Sequence, residues 1–412
     1  LFTGAGGLDL GFEAAGFKHV GCIERDRNSR ETLAANRPEW PLLSGGDIVG
    51  PEPSQILKDL GITRRELELI VAGPPCQPFS KSAFWVNGTT ARLEDPRADT
   101  LWAMMDLVEE ALPAALVIEN VRGIAFRDKD EGVRLIRQRL RDINAAHGTG
   151  YDLGVACLRA TDYGVAQLRE RAFLVAFRSG AAFQPPAPIA GGDTGRSIPT
   201  AWDALSTIDV LEKDTKQLST RGKWAELLPS IPEGKNYLWH TPEGGGEPLF
   251  AWRSRFWSFL LKLAKDQPSW TIQADPGSAT GPFHWDNRRL AISELARLQS
   301  FPSNYTFAGS YQSARRQIGN AVPPALAEAV ARRVRSVILN ETYDCTLTLA
   351  ISPAAPPPPP AATLPVGEKY LPLKGRHAPH PGTGLGPGAL RRASAPDQNS
   401  IAEGIIEHPG PV

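Results

Sequence analysis

The sequence predicts an α/β fold with a second, smaller domain and a proline-rich tail. Three observations carry this. Short apolar runs end in glycine, proline or an acid and alternate with segments of helical period over residues 1–182. That alternation is lost from Phe183 to Asn287, where prolines and glycines become frequent and seven of the ten tryptophans fall. Regular patterning returns from Arg288 to Asn340 and gives way to a Pro/Gly/Ala-rich stretch, 341–412, that contains Pro356 to Pro360 in a row. The expected division is therefore 1–182, 183–287, 288–340 and 341–412. The last part has no core-forming pattern and is expected to be polyproline II or structureless.

The totals exclude little. With 412 residues and 42% apolar side chains the chain can bury a large core. Its 45 basic and 45 acidic residues cancel, so charge alone announces no polyanionic partner. Cys22, Cys76, Cys157 and Cys345 are far apart and form no CxxC pair, which argues against a zinc site or a disulfide framework and fits a reducing cytosol. No apolar run approaches the ~18 residues a membrane helix needs.

Leu1-Phe2-Thr3-Gly4-Ala5-Gly6-Gly7 reads as a strand end, a glycine turn and a helix start. Glycines let the backbone turn tightly and approach a ligand. Alone, such a turn is more often a packing turn. Val20 to Glu24 reads as the next strand, and its terminal acid stands where ribose hydroxyls are held after a glycine turn. Gly46-Asp47-Ile48 supplies a further acid suited to an exocyclic amine. Together these describe a nucleoside-cofactor site.

Leu67 to Ala72 reads as a buried strand that Gly73-Pro74-Pro75 must end, since proline has a fixed φ and no N–H. Cys76 then sits on a stiff loop past a strand end, where open α/β sheets place their chemistry. Leu101, Met105, Val108 and Leu112 mark a helix that Pro113 closes. Leu116 to Val121 is an apolar strand carrying Glu119. Val133, Ile136, Leu140 and Ile143 mark a second helix. Arg169 and Arg171 alternate before the strand Phe173 to Phe177, so they face the same way, suited to an anion or a carbonyl. Arg253, Arg255, Lys262 and Lys265 surround a helix-like segment, Phe256 to Leu263, and are candidate phosphate contacts. Pro323 and Pro324 suit the first turn of a helix running to about Leu339.

This ordered set resembles the DNA (cytosine-5)-methyltransferase family of the bacterial restriction–modification type, over roughly Leu1 to Leu339. The residues that carry the resemblance are Phe2 to Gly7, Glu24, Asp47, Gly73 to Gln77, Asp95-Pro96-Arg97, Glu119-Asn120-Val121, Gln167 to Arg171, Arg297-Leu298-Gln299 with Phe301-Pro302, and Gly319-Asn320. Each is weak alone; all of them in this order are specific. Ala166 and Ala291 stand where the family usually has proline and a capping threonine, and the strand before Phe2 is mostly missing, which would weaken cofactor binding.

The resemblance implies a Rossmann-like methyltransferase sheet, S-adenosyl-L-methionine as cofactor, and double-stranded DNA as partner. It further implies a variable target-recognition domain at 183–287, a last helix folded back on the first motif, and a monomer in the bacterial cytoplasm, with a cognate endonuclease that makes no direct contact. Cys76 would be the nucleophile, Glu119 the acid at ring nitrogen 3, Arg171 the partner of the cytosine carbonyl, and Arg169 a support for Glu119 or the thiolate. Phe2, Gly4, Gly6, Gly7, Glu24, Asp47, Pro75 and Asn320 would bind the cofactor. Gln77, Ser80, Gln167, Arg253 and Arg255 would contact DNA, and the loop from Ser80 to Asp95 would close over the flipped base. Two rival readings are a DNA-binding module that has lost activity, against which Cys76, Glu119 and Arg171 argue, and the family's transfer-RNA branch. That branch lacks so long a recognition segment, and its Cys-Phe-Thr signature does not occur here.

Overall fold

The computed structural model describes residues 1–43, 45–75, 99–125, 130–210, 217–251 and 257–375. Its centre is a four-stranded sheet. Strand β1 (Leu69–Ala72) runs parallel to β2 (Ala115–Val121), and β5 (Glu170–Phe177) lies antiparallel between β2 and β3 (Gly154–Arg159). Ala115 to Ile118 of β2 are fully buried, as expected of a strand covered on both faces.

Side-chain alternation divides the core in two. Leu116 and Ile118 of β2, with Leu174 and Ala176 of β5, face the helices Asp99–Ala111 and Glu131–His147. Ala115 and Val117, with Phe173 and Val175, face α1 (Gly7–Ala14) and the C-terminal helix Pro324–Ile338. The result is an αβα sandwich whose second helical layer joins the start of the chain to residues 324–338. Glycine makes that junction possible. A Cβ at Gly11 would lie 2.4 Å from both Ala327 Cβ and the Glu328 backbone nitrogen, and one at Gly7 would lie 2.3 Å from the Val322 carbonyl oxygen.

At the sheet's other edge, the Leu1 ammonium donates to Val71 O at 2.7 Å and Leu1 O accepts from Gly73 N at 3.2 Å. An apolar groove of about 410 Å³ continues that line, walled by Ile23, Leu60, Leu69 and Val71. The strand expected at Val20 to Glu24 is reduced to one bridge, Cys22 with Leu42.

Residues 183–287 are mostly irregular, as their composition predicts, and they divide between two cores. Ala201, Leu205, Leu263 and Ile272 pack with Leu10, Leu295, Phe301 and Ile318 of the flanking parts. Leu227, Ile231, Tyr237, Phe250 and Phe259 form a separate cluster, against which Trp224 lies edge-on to Phe250 and Phe259. The helix-like segment 256–263 is no helix over its described residues; Phe259 and Lys262 make isolated bridges to Thr280 and Phe283.

The chain after Asn340 differs from the structureless tail that composition suggests. Ile351 is buried in the shared core, and Tyr370 stacks on Trp224 at 5.7 Å inside the second cluster. Glu328, fully buried, accepts from the backbone nitrogens of Thr348 and Leu349. A few anchors separated by proline suffice because they enter cores that other segments have already built. Residues 376–412 lie outside the described residues.

Candidate active site

Glu119 sits near the end of β2, opposite Phe173 of β5, while Arg171 sits opposite Val121. The two are diagonal neighbours on one face of an antiparallel pair, about 7–8 Å apart at the backbone and within reach of long side chains. Arg171 Nε lies 2.8 Å from Glu119 Oε1, with both side chains largely buried. This close ion pair faces Glu119 Oε1 towards the guanidinium. Arg171 Nη1 donates to Glu170 O at 2.8 Å. Burial pushes the Glu119 carboxyl above the usual carboxylate range, and the opposing charges of Arg171 and Arg169 do not offset it. A buried carboxyl held towards its protonated form is equipped to donate a proton.

The loop after β1 comes to this pair. Asn120 Nδ2 donates to Pro74 O at 3.4 Å, and a Cβ at Gly73 would lie 3.8 Å from both Glu119 Oε2 and Phe2 O. Gly73 thus stands between the first motif and the buried acid, and Pro75, half-buried, continues towards position 76. Cys76, Gln77, Ser80, the loop to Asp95, and Arg253 and Arg255 lie outside the described residues.

The nucleoside-type residues also converge. Thr3 N donates to Ile23 O at 3.3 Å, which lays the glycine turn beside Glu24. Glu24 Oε2 accepts from Gly4 N at 2.7 Å and Oε1 from Asp26 N at 2.6 Å, fixing the carboxylate over the turn. A Cβ at Gly46 would lie 2.1 Å from Glu24 O, so Asp47 follows directly alongside. Asp47 is half-buried, accepts from Val49 N at 3.0 Å and lies 3.4 Å from Arg25. Phe2 takes a left-handed φ of 55°, uncommon for a residue with a side chain. The glycines differ in use. The nearest atom to a Cβ at Gly4 would be Phe2 O, 4.0 Å away, whereas the space at Gly6 and Gly7 is filled by Leu33, Tyr305 and Val322. Gly4 therefore leaves room for a ligand, and Gly6 and Gly7 leave room for the rest of the chain. Asn320 is exposed at the end of the helix Tyr311–Asn320.

Other expected residues are placed differently. Gln167, expected at the substrate, is fully buried; its Oε1 accepts from Ile272 N at 3.1 Å. Arg169 donates to Gly319 O at 2.7 Å and Ala321 O at 2.8 Å, while its charge still acts on Glu119. It ties the returning chain to the site. Lys262 and Lys265 are not phosphate contacts: Lys262 is buried and donates to Ile231 O, and Lys265 is buried against Glu233. Two residues without an assigned role, Asn120 and Tyr305, brace the site; Tyr305 OH donates to Ala5 O at 2.8 Å. Asn120 was marked by its place beside Glu119, but nothing local marked Tyr305.

A glycine turn fixed by an acid lies beside a buried carboxyl and arginine at the strand ends. Residues 1–336 match the C-5 cytosine-specific DNA methylase family, and the chain belongs to it. It is a DNA (cytosine-5-)-methyltransferase. Among its relatives is the type II methyltransferase M.SacI of Streptomyces achromogenes, 35% identical over 364 residues that cover 81% of this chain and 90% of that protein. M.PspPI of Psychrobacter sp. is 32% identical, covering 81% and 77%. The fold is shared with a putative DNA modification methyltransferase encoded within an E. coli prophage, at TM-score 0.60 and 21% identity over 82% of this chain and 98% of that one. It is also shared with a mutant of Spodoptera frugiperda DNMT2, at TM-score 0.56 and 16% identity over 81% and 98%.

Proposed function

We propose that this enzyme methylates carbon 5 of a cytosine flipped out of a specific duplex DNA sequence, through a covalent Cys76 adduct. Its role would be to protect host DNA within a restriction–modification system, in the bacterial cytoplasm. The observation that carries the mechanism is the buried Glu119 beside Arg171, with the Gly73-Pro74 loop against them. The type II relatives support the biological role.

Carbon 5 of cytosine is a poor nucleophile. Addition of the Cys76 thiolate at carbon 6 makes the ring an enamine and divides one hard step into two easier ones. Glu119, held protonated by burial, donates to ring nitrogen 3 as sulfur adds. Arg171 holds the cytosine carbonyl oxygen and stabilises the developing charge. Arg169 keeps the Gly319–Ala321 turn in place behind them. S-adenosylmethionine, when bound, supplies an electrophilic sulfonium methyl for carbon 5. The room at Gly4 and the Glu24 and Asp47 carboxylates beside it fit such a nucleoside: Glu24 would hold the ribose, Asp47 the adenine amine and Phe2 the adenine face. Loss of the carbon 5 proton then expels the thiolate.

Flipping costs a few kcal/mol of stacking and pairing, which the pocket and the duplex contacts must offset. Transfer of a labelled methyl group to duplex DNA and to transfer RNA, followed by bisulfite sequencing of DNA from expressing cells, tests the reading. Label in duplex DNA and one protected sequence motif are expected. Label confined to transfer RNA, or none, would refute it.

A further inference from the structure

Leu168, Trp257 and Trp270 stand out as exposed apolar side chains, at 38%, 37% and 41% of their full accessibility. They form one patch. Leu168 of β4 (Gln167–Leu168) pairs in parallel register with Trp270 of β6 (Ser269–Trp270). Paired residues point to the same face, and the alternation is clean: Gln167 and Ser269 are fully buried, Leu168 and Trp270 face outwards. The rings of Trp257 and Trp270 meet at 4.5 Å between centroids, inclined by 54°. Thr271 Oγ1 donates to Leu168 O and fastens the two strands. Solvent-facing tryptophans rarely cluster without a partner, because each leaves a large apolar area in water.

The patch's position indicates what covers it. Leu168 precedes Arg171 by three residues, so at ~3.3 Å per residue their backbones are no more than about 10 Å apart. Arg171 is where the flipped cytosine would be held. A duplex has a major groove ~12 Å wide, a span comparable with this separation, so DNA that delivers a nucleotide to Arg171 comes close to the patch. The chemistry suits it. Indole rings stack on base faces and pack on deoxyribose without needing a particular sequence.

We infer that Trp257, Trp270 and Leu168 form a positioning surface that packs on the duplex beside the flipped cytosine and replaces part of the stacking lost there. This rests on the DNA reading of the site. The test measures affinity for a duplex carrying the methylation site mapped in cells, in the parent, Trp270→Ala, Trp257→Ala and Trp270→Phe. The alanine variants are expected to bind the duplex at least tenfold more weakly, as loss of a base–aromatic stack implies. Trp270→Phe should keep most of the affinity, and S-adenosylmethionine binding should be unchanged in all three. Equal duplex affinity in parent and alanine variants overturns the inference, as does light scattering that shows a parent dimer dissociated by Trp270→Ala. Should an alanine variant fold poorly, acrylamide quenching of the parent decides: saturating duplex must shield tryptophan, and unchanged quenching overturns the inference. A parent that binds no duplex would fail the DNA reading itself, a different outcome from a parent and variants that bind alike.

Discussion

Arg171 Nε stands 2.8 Å from Glu119 Oε1 across the β2–β5 ladder, yet burial still holds the carboxyl above its usual range. The arginine pulls the carboxyl's value down, and burial outweighs that pull. In the proposed mechanism the guanidinium serves the cytosine carbonyl oxygen while the carboxyl serves nitrogen 3, so one pair covers the carbonyl and the ring nitrogen beside it.

Methyl transfer should therefore fall as pH rises through the raised Glu119 value, because the active form is the protonated one. Glu119→Gln keeps a donor but has no proton to give. Its turnover should drop by ~10²–10⁴-fold, the usual contribution of general acid catalysis. The fall with pH that Glu119 causes should vanish with it. Single-turnover rates between pH 5 and 9 check both; a parent profile shared by the variant would remove Glu119 from the proton transfer.

Arg171→Lys should cost ~10²–10³-fold in turnover, the scale for losing one oriented donor to developing charge. Lysine has no planar fork with which to reach Glu170 O and face Glu119 together. Duplex affinity should change little. Steady-state kinetics with the mapped duplex distinguish this from a binding defect.

Lys262 supplies a pH signature of folding. Burial lowers its ammonium from 10.5 to about 8, against the pull of Glu233. Below pH 8 both folded and unfolded chains hold the proton. Between about 8 and 10.5 the unfolded chain binds more, so this group makes stability rise with pH across that window. Lys262→Met should lose that rise. Urea denaturation of parent and variant at pH 7, 8, 9 and 10 reads it as a widening difference in favour of the parent.

Removing residues 341–412 should lower Tm by several degrees, because it uncovers the cores around Ile351 and Tyr370 and strips backbone donors from the buried Glu328. An unfilled polar group of that kind costs ~1–3 kcal/mol by itself. Removing only 376–412 leaves those contacts in place, so its melting curve should match the parent's. Differential scanning calorimetry of both truncations checks the pair.

Gly11→Ala should destabilise by ~1–3 kcal/mol through overpacking, despite the better helix propensity of alanine, worth about 1 kcal/mol. The added carbon meets backbone of the helix 324–338, which cannot rotate away. A variant as stable as the parent in chemical denaturation would show that the first and last helices can separate at no cost.

Much of the sheet was legible because its strands are continuous apolar runs closed by Gly73 or an acid, and because Gly4 and Glu24 stand at nucleoside spacing. The diagonal contact of Glu119 with Arg171 was not. It depends on the register between strands about 50 residues apart in the chain, which periodicity does not encode; the family resemblance set both residues on one cytosine but gave Arg169, not Arg171, as the support for Glu119. Gln167, Lys262 and Lys265 misled for one physical reason: a polar side chain looks solvated until its buried partner is known. The helix 311–320 escaped notice because it is largely polar, although Ser310, which caps it by accepting from Ser313 N, was a signal. The anchors at Ile351 and Tyr370 were hidden because isolated apolar residues among prolines make no pattern of their own.

The most direct test of the central claim is transfer of a labelled methyl group to duplex DNA by the Cys76→Ala variant. With Glu119 and Arg171 intact, loss of the thiol should abolish transfer while leaving duplex affinity largely unchanged. Turnover within tenfold of the parent would contradict the covalent mechanism.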